Sequence, residues 1–336
     1  MARWNQDENQ LLGRIAQAFG GVPRGRIRRL KLGVGDDAAL YTPRSGYETV
    51  LTCDWFLEGT HFLRNKHPAD AIGWKCLARA VSDVAAMGGI SQCFLLSLAL
   101  PWSHTGRWLD EFLGGLKRAS RRFGCALAGG DTTRREQILI NVTVVGEVRA
   151  EQAVLRSGAR AGDLIYVSGR LGEAELGLRL LKNNKAKADK NDPLLRKHLY
   201  PMPRLLLGQL VAEKRVASAM MDLSDGLSSD LTRLCAASGV GARIEQEKLP
   251  VVKLSAPFLR GGADPLKLAL HGGDDYELLF TVPKAKAERL PRSFEGVTLT
   301  QIGEVTRQKK ITLEHAGGRT ETLIPRGWDP FRQSSR

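Results

Sequence analysis

Short apolar stretches of this chain stop again and again at aspartate, usually with glycine beside it. Carboxylates stand in this way at Asp36/Asp37, Asp54, Asp83, Asp131 and Asp222/Asp225, and Gly272 to Glu277 adds more. Glycine permits tight turns, and aspartate accepts turn N–H groups, so the pattern predicts strands ending at polar turns. Between these stops the apolar residues recur at helical spacing. The repeated strand, turn and helix restricts the chain to an α/β or α+β architecture.

Taken in order, Asp7 to Phe19 carries Leu11, Leu12, Ile15 and Phe19 on one helical face, followed by a basic loop from Gly20 to Arg29. A short strand is expected over Glu48 to Cys53, ending at Asp54, with a loop from Trp55 to Phe62. Pro68 opens a helix that runs to Met87 and stops at Gly88-Gly89, with Asp83 inside it. Residues 93–100 read as a strand, an amphipathic helix follows through Trp108, Leu109, Phe112 and Leu116, and a second short strand covers Cys125 to Ala128. Its end is the turn Gly129-Gly130-Asp131. Ile138 to Val148 closes the first half.

Near Ala150 the pattern restarts, which predicts an N-terminal domain over 1–150 and a C-terminal α/β domain over 151–336. There Asp163 to Gly169 is a strand and turn, and a helix follows through Leu176 and Leu180. Lys182 to Asp192 reads as an exposed polar loop, Arg204 to Val216 as a helix, and Ala219 to Met221 as a strand stopping at Asp222. Leu227 to Ala237 is helical, and Leu278 to Val282 is a strand. A short helix and two more strands complete the chain.

Composition narrows the function. A net charge of +14 admits nucleic acid or anionic small molecules as partners. The basic residues are dispersed, however, over Arg24 to Lys31, Lys117 to Arg122 and Lys182 to Lys190, without interleaved aromatic rings for stacking bases. The five cysteines never form C-x-x-C, so they read as small buried thiols rather than a zinc site. No apolar run nears the ~18 residues of a membrane span, and the first residues turn polar at once, so a soluble cytoplasmic protein is expected.

Hard carboxylate oxygens without His or Cys companions suit Mg²⁺. One Mg²⁺ takes only one or two protein carboxylates, so this many converging aspartates would mean several ions and a polyphosphate. The P-loop, the protein-kinase motif set and the G-x-S-x-G elbow are all missing from the sequence.

Gly35-Asp36-Asp37-Ala38-Ala39, Ser82-Asp83-Val84-Ala85-Ala86-Met87-Gly88, Gly129-Gly130-Asp131-Thr132-Thr133-Arg134, Asp222-Leu223-Ser224-Asp225-Gly226-Leu227 and Gly272-Gly273-Asp274-Asp275-Tyr276-Glu277-Leu278 occur in this order. Together, over about Leu32 to Phe331, they resemble the thiamine-monophosphate kinase family of the aminoimidazole-ribonucleotide-synthetase-like ATP-binding superfamily. The resemblance implies ATP-dependent phosphorylation of thiamine monophosphate to thiamine diphosphate by direct in-line transfer. It implies a homodimer whose N-terminal domains pair their sheets. Carried over by motif, Asp37, Thr52, Cys53, Asp54, Asp83, Asp131, Asp222 and Asp225 would form the magnesium shell. Gly130, Asp131, Arg156 and Ser224 would touch ATP, and His61, Asp274 and Trp328 the thiamine substrate. Two positions depart from the family pattern: Cys53 stands where Thr is common, and Asp274 where Glu is usual. For Cys53 a backbone carbonyl can replace the side-chain oxygen, and Asp36 is left to brace the turn or bind through water. The alternatives are another superfamily enzyme, such as selenophosphate synthetase, or a basic nucleic-acid-binding protein. Phe19 to Leu32 lacks the reactive cysteine of the former. Ordered aspartates repel the phosphates required by the latter.

Overall fold

A computed structural model of the chain describes residues 8–19, 29–183 and 192–332. Most of the expected basic loop (20–28 of Gly20 to Arg29) and most of the Lys-rich loop, 184–191, lie outside them. The chain divides into two compact units, Met1–Val84 with Gly89–Ala150, and Ala85–Gly88 with Glu151–Arg336.

The first unit contains α1 (Glu8–Phe19), a two-stranded ladder of β1 (Leu30–Leu32) and β2 (Leu40–Tyr41), and β3 (Tyr47–Leu57). Then come α2 (Ala69–Ala86), β4 (Ile90–Leu100), α3 (Arg107–Phe123), β5 (Ala126–Arg134) and β6 (Leu139–Arg149). The sheet order is β3-β6-β4-β5, with β4 and β5 parallel and the other pairs antiparallel. Three of its strands are longer than expected. β3 runs through Asp54 to Leu57 because its ladder with β6 continues without interruption to the Leu57–Leu139 pair. β5 carries Gly129, Gly130 and Asp131 inside the strand, in register with Leu95, Leu96 and Ser97, so the expected turn there is extended backbone. β4 starts at Ile90.

Helix α3 buries Leu109, Phe112, Leu113, Leu116, Ala119 and Phe123, the stripe its sequence spacing predicts, and ends at Gly124 in the left-handed conformation. It crosses α2 at backbone contact. A Cβ on Gly73 would fall 2.0 Å from the Phe112 carbonyl oxygen, and one on Gly115 would fall 1.8 Å from that of Asp70. The two glycines therefore set how closely these helices approach.

The second unit is built on a mixed sheet in the order β14-β13-β9-β12-β7-β10-β8. Its elements are β7 (Leu164–Ser168), α4 (Glu173–Lys182), α5 (Pro193–Leu199), α6 (Leu205–Glu213), β8 (Ala219–Leu223), α7 (Leu227–Ser238), β9 (Gly241–Glu245) and α8 (Ala256–Arg260). They continue with α9 (Pro265–His271), β10 (Glu277–Val282), β11 (Ser293–Phe294), β12 (Val297–Thr306), β13 (Ile311–Glu314) and β14 (Thr320–Thr322). Alternate strand residues serve two cores. Met221, Leu223 and Leu279 pack with Leu227, Leu231 and Leu234 of α7, while Met220, Leu278 and Phe280 pack with Leu207 and Val211 of α6. Four strands follow β10 instead of two, the extra pair being the two-residue β11 and the exposed edge strand β14, both too short for periodicity to reveal. Strand β9 and helix α5 also escape the sequence reading.

Candidate active site

In the first unit, Asp36 and Asp37 lie exposed in the loop between β1 and β2. The Asp37 backbone N–H donates to the Asp36 carboxylate at 2.9 Å. Asp36 thus braces the turn, and the Asp37 carboxylate is presented to solvent.

Thr52 and Asp54 stand two residues apart on β3 and so share one face of the sheet. The Thr52 hydroxyl donates to the Asp83 carboxylate on α2. Cys53, between them, faces the other way. It is exposed, correcting the expectation of a buried thiol, and its sulfur accepts from Asn141 Nδ2 at 3.1 Å. Its side chain is therefore turned away from the Thr52–Asp83 pair, leaving only its backbone carbonyl to stand in for a threonine oxygen. The other cysteines, Cys76, Cys93, Cys125 and Cys235, are buried.

Asp131 is exposed on β5, in register with Ser97. Asp54 on β3 and Asp131 on β5 occupy opposite edges of the four-stranded sheet, with β6 and β4 between them. Three strand spacings of ~4.8 Å separate the two backbones by about 14 Å, more than two aspartate side chains can close around one ion. Gly130 must be glycine, since a Cβ there would meet the Leu96 carbonyl oxygen at 1.9 Å. The hydroxyl of Thr132, next in line, is buried without a hydrogen-bond partner among the described residues. His61 lies in the turn after β3, where Nδ1 accepts the Leu57 N–H at 3.0 Å. In the neutral ring this leaves Nε2 as the donor.

In the second unit, three distant segments converge through backbone hydrogen bonds. Asp222 is buried inside β8, in register with Leu278, rather than lying past the strand end. Beyond it the Ser224 carbonyl accepts the Asp274 N–H at 2.8 Å, and the Asp225 carbonyl accepts the Trp328 N–H at 2.8 Å. Trp328, which is 47% exposed, keeps its ring available for contact. Ser224, Asp225, Asp274 and Trp328 are thereby gathered although they span more than a hundred residues of sequence. Arg156 is exposed in the stretch before β7, where its carbonyl accepts from Ser238.

Around these residues stand Tyr276, which lies within the last motif, and His198, Asp230 and Arg233, which lie outside every motif. Asp274 adopts φ +67° and Tyr276 φ +51°, left-handed conformations that non-glycine residues adopt at a cost. The Tyr276 hydroxyl donates to Asp274 at 2.8 Å, and the buried His198 on α5 stands 3.8 Å from the other carboxylate oxygen. Asp230, fully buried in α7, accepts the Asp225 and Gly226 N–H groups at 3.0 Å each, and Arg233 pairs with both carboxylates. Burial and the Asp225 charge push Asp230 up to about 7. A charged residue in the first turn of α7 was the available clue.

The oxygen-rich groups fit Mg²⁺: a hydroxyl already held on a carboxylate at Thr52 and Asp83 with Asp54 on the same face of β3, and, apart from these on the opposite edge strand β5, an unsatisfied buried hydroxyl at Thr132. Among the described residues, no three His, Cys, Asp or Glu side chains are clustered closely enough to hold a metal ion between them. Magnesium commonly takes one or two carboxylates and completes its shell with water and substrate phosphate.

Comparison with known proteins gives a consistent result. The sequence matches the AIR synthase related protein N-terminal domain over residues 35–148 and the corresponding C-terminal domain over 160–316. It is 37% identical to a thiamine-monophosphate kinase of Aquifex aeolicus, over 89% of this chain and 92% of that relative. The fold is similar to the crystal structure of thiamine-monophosphate kinase from Stenotrophomonas maltophilia, with a TM-score of 0.78 and 35% identity over 90% of this chain and 95% of that one. It is also similar to AaThiL complexed with AMPPCP and TMP, with a TM-score of 0.76 and 34% identity over 98% and 99% of the two chains.

Proposed function

The chain belongs to the thiamine-monophosphate kinase family, and from this we infer that it transfers the terminal phosphoryl group of ATP to thiamine monophosphate, giving thiamine diphosphate. The observation that carries the reading is kinship over nearly the whole chain, including a relative complexed with AMPPCP and TMP.

The acceptor is a phosphate monoester whose second pKa is ~6, so near pH 7 it is already mostly dianionic and needs no general base. The task of the protein is to bring two anions together and hold them in line. Asp37, Asp54, Asp83, Asp131, Asp222 and Asp225, with the Thr52 hydroxyl and the Cys53 carbonyl, are the residues that would hold magnesium. When bound, magnesium screens the repulsion between the phosphates. Gly130, Arg156 and Ser224 bind the nucleotide in this reading, with the Arg156 guanidinium suited to phosphate oxygens. Trp328 packs on the cationic thiazolium or the pyrimidine ring, while Asp274 and His61 fix its orientation. Asp274, held by Tyr276, acts from one methylene further back than a glutamate would.

A homodimer belongs to the same reading. Leu51 and Trp55 on β3 are 70% and 56% exposed, and Leu95 on β4 is 39% exposed. Leu51 stands opposite Val145, and Thr143 bridges Cys53 to Leu95, so the apolar residues form one continuous face. A second copy laid on this face would cover it. No helix among the described residues is long and apolar enough to cross a membrane. A cytoplasmic location, where ATP is supplied, completes the proposal.

Product analysis with ATP, Mg²⁺ and thiamine monophosphate tests the reading. Thiamine diphosphate with stoichiometric ADP is the expected result. ADP formed only with a different acceptor would move the assignment to another enzyme of the superfamily. Recovery of a covalent phosphoenzyme competent to phosphorylate thiamine monophosphate would overturn direct transfer.

A further inference from the structure

Beside β7, β10 and β12, the second unit contains a cavity of about 470 Å³, whose central carboxylate, Glu277, lies near the end of the last aspartate motif. Its wall includes Arg170, Glu173, Lys197, Arg204, Glu277 and Thr298. Glu277 is fully buried at the start of β10, and accepts Lys197 Nζ at 2.7 Å, Arg204 Nε at 2.7 Å and the Arg204 Nη2 group. Ser168 also donates to it, at 2.5 Å. Burial alone would raise Glu277, yet the two cations outweigh burial and hold it below the usual carboxylate range.

The cations exceed what Glu277 needs. Arg170 approaches its nearest carboxylate, Glu173, only to 3.9 Å, too far for a hydrogen bond. Arg204 spends Nε and Nη2 on Glu277, and Nη1 has no hydrogen-bond partner among the described residues. Lys197 uses one of its three donors. Asp275, just behind, is committed to the Gly172 and Ala174 N–H groups and does not line the cavity. Three lining cations against two lining carboxylates leave one positive charge in excess. The Lys197 and Arg204 side chains are only 19% and 18% exposed, so that charge sits where solvent screens it weakly.

We propose that this cavity binds a small organic anion through a carboxylate or phosphate group held by Arg170, Lys197 and Arg204. The forked donors of arginine match such oxyanions, and the volume admits a body larger than the charged group alone. Pro250 and Val297 supply an apolar wall for that body. None of the lining residues is among those assigned above to ATP, magnesium and thiamine.

Calorimetric titration of the full chain with inorganic phosphate, pyrophosphate and citrate tests this, at matched ionic strength and with AMPPCP and thiamine monophosphate saturating. At least one of these anions is expected to bind saturably, and roughly tenfold more weakly to Arg170→Ala, which loses a charge but no hydrogen bond within the fold. The kinase rate of that variant should match wild type. Citrate binding alone would assign a carboxylate ligand, and phosphate or pyrophosphate binding a phosphorylated one. No saturable binding, or equal affinity in wild type and Arg170→Ala, overturns the proposal. Because Arg170→Ala is compared directly with wild type, the result stands whether or not thiamine diphosphate is the product of the enzyme.

Discussion

The Thr52 hydroxyl donates a hydrogen bond to the Asp83 carboxylate, tying the edge strand β3 to α2 across 31 residues of sequence. An aspartate inside an apolar helix is unfavourable by propensity, and here it gains a strand partner on a face shared with Asp54. This pair is the geometric nucleus of the proposed magnesium site in the first unit.

Replacing Asp83 with Asn should lower phosphoryl transfer at saturating Mg²⁺ by at least about a hundredfold, as expected when charge stabilisation of a transferring phosphoryl group is removed. Thr52→Val should cost less, because the carboxylate remains. Steady-state kinetics beside circular dichroism checks both. Near-normal rates in Asp83→Asn with the fold intact would remove it from the metal set.

Glu277→Gln should destabilise the chain by roughly 3 kcal/mol, because Lys197 and Arg204 would be left without their buried counter-charge. Glu304, whose pairs with Arg243 and Lys284 lie near the surface, is the control, and Glu304→Gln should cost less than about 1 kcal/mol. Urea denaturation of the two variants reads the difference.

Asp275 is fully buried, and burial pushes it up to about 7 from an ordinary value of 3.8. The native state therefore binds more protons than the unfolded chain between about pH 4 and pH 7. Stability should fall as pH rises through that window, by at most about 1.4 kcal/mol per pH unit for this group. Asp230 is raised in the same direction. Asp275→Asn should therefore flatten the slope between pH 5 and pH 7 without abolishing it. Thermal melts across that range would refute the assignment if wild type and variant ran parallel.

Leu51→Glu combined with Trp55→Glu should convert a dimer into a monomer, since both changes place charge on the exposed apolar face of the first sheet. Sedimentation velocity decides this. A wild type that sediments as a monomer at micromolar concentration would rule out the proposed pairing.

Much of this molecule was legible in the sequence because its signals are local. The stripe of α3 follows directly from Leu109, Phe112, Leu116 and their spacing. The ordered aspartate motifs carried the family. Strand ends were read poorly at Asp54, Asp131 and Asp222, where polar residues and glycines suggested turns but ladder hydrogen bonds to β6, β4 and β10 keep the backbone extended.

What only the tertiary structure decided is which of these residues meet. Cys53 and Thr52 are adjacent in the chain but face opposite sides of a sheet, because strand side chains alternate with period two. Asp54 and Asp131 belong to one motif set yet occupy opposite edges, because strand order is fixed by long-range pairing and is not written in either segment. Asp274 finds Ser224, and Trp328 finds Asp225, only through backbone bonds between segments far apart in sequence. The sequence by itself determined which chemistry is present, since residue type and local spacing suffice for that. The register of the sheets decided where that chemistry is presented.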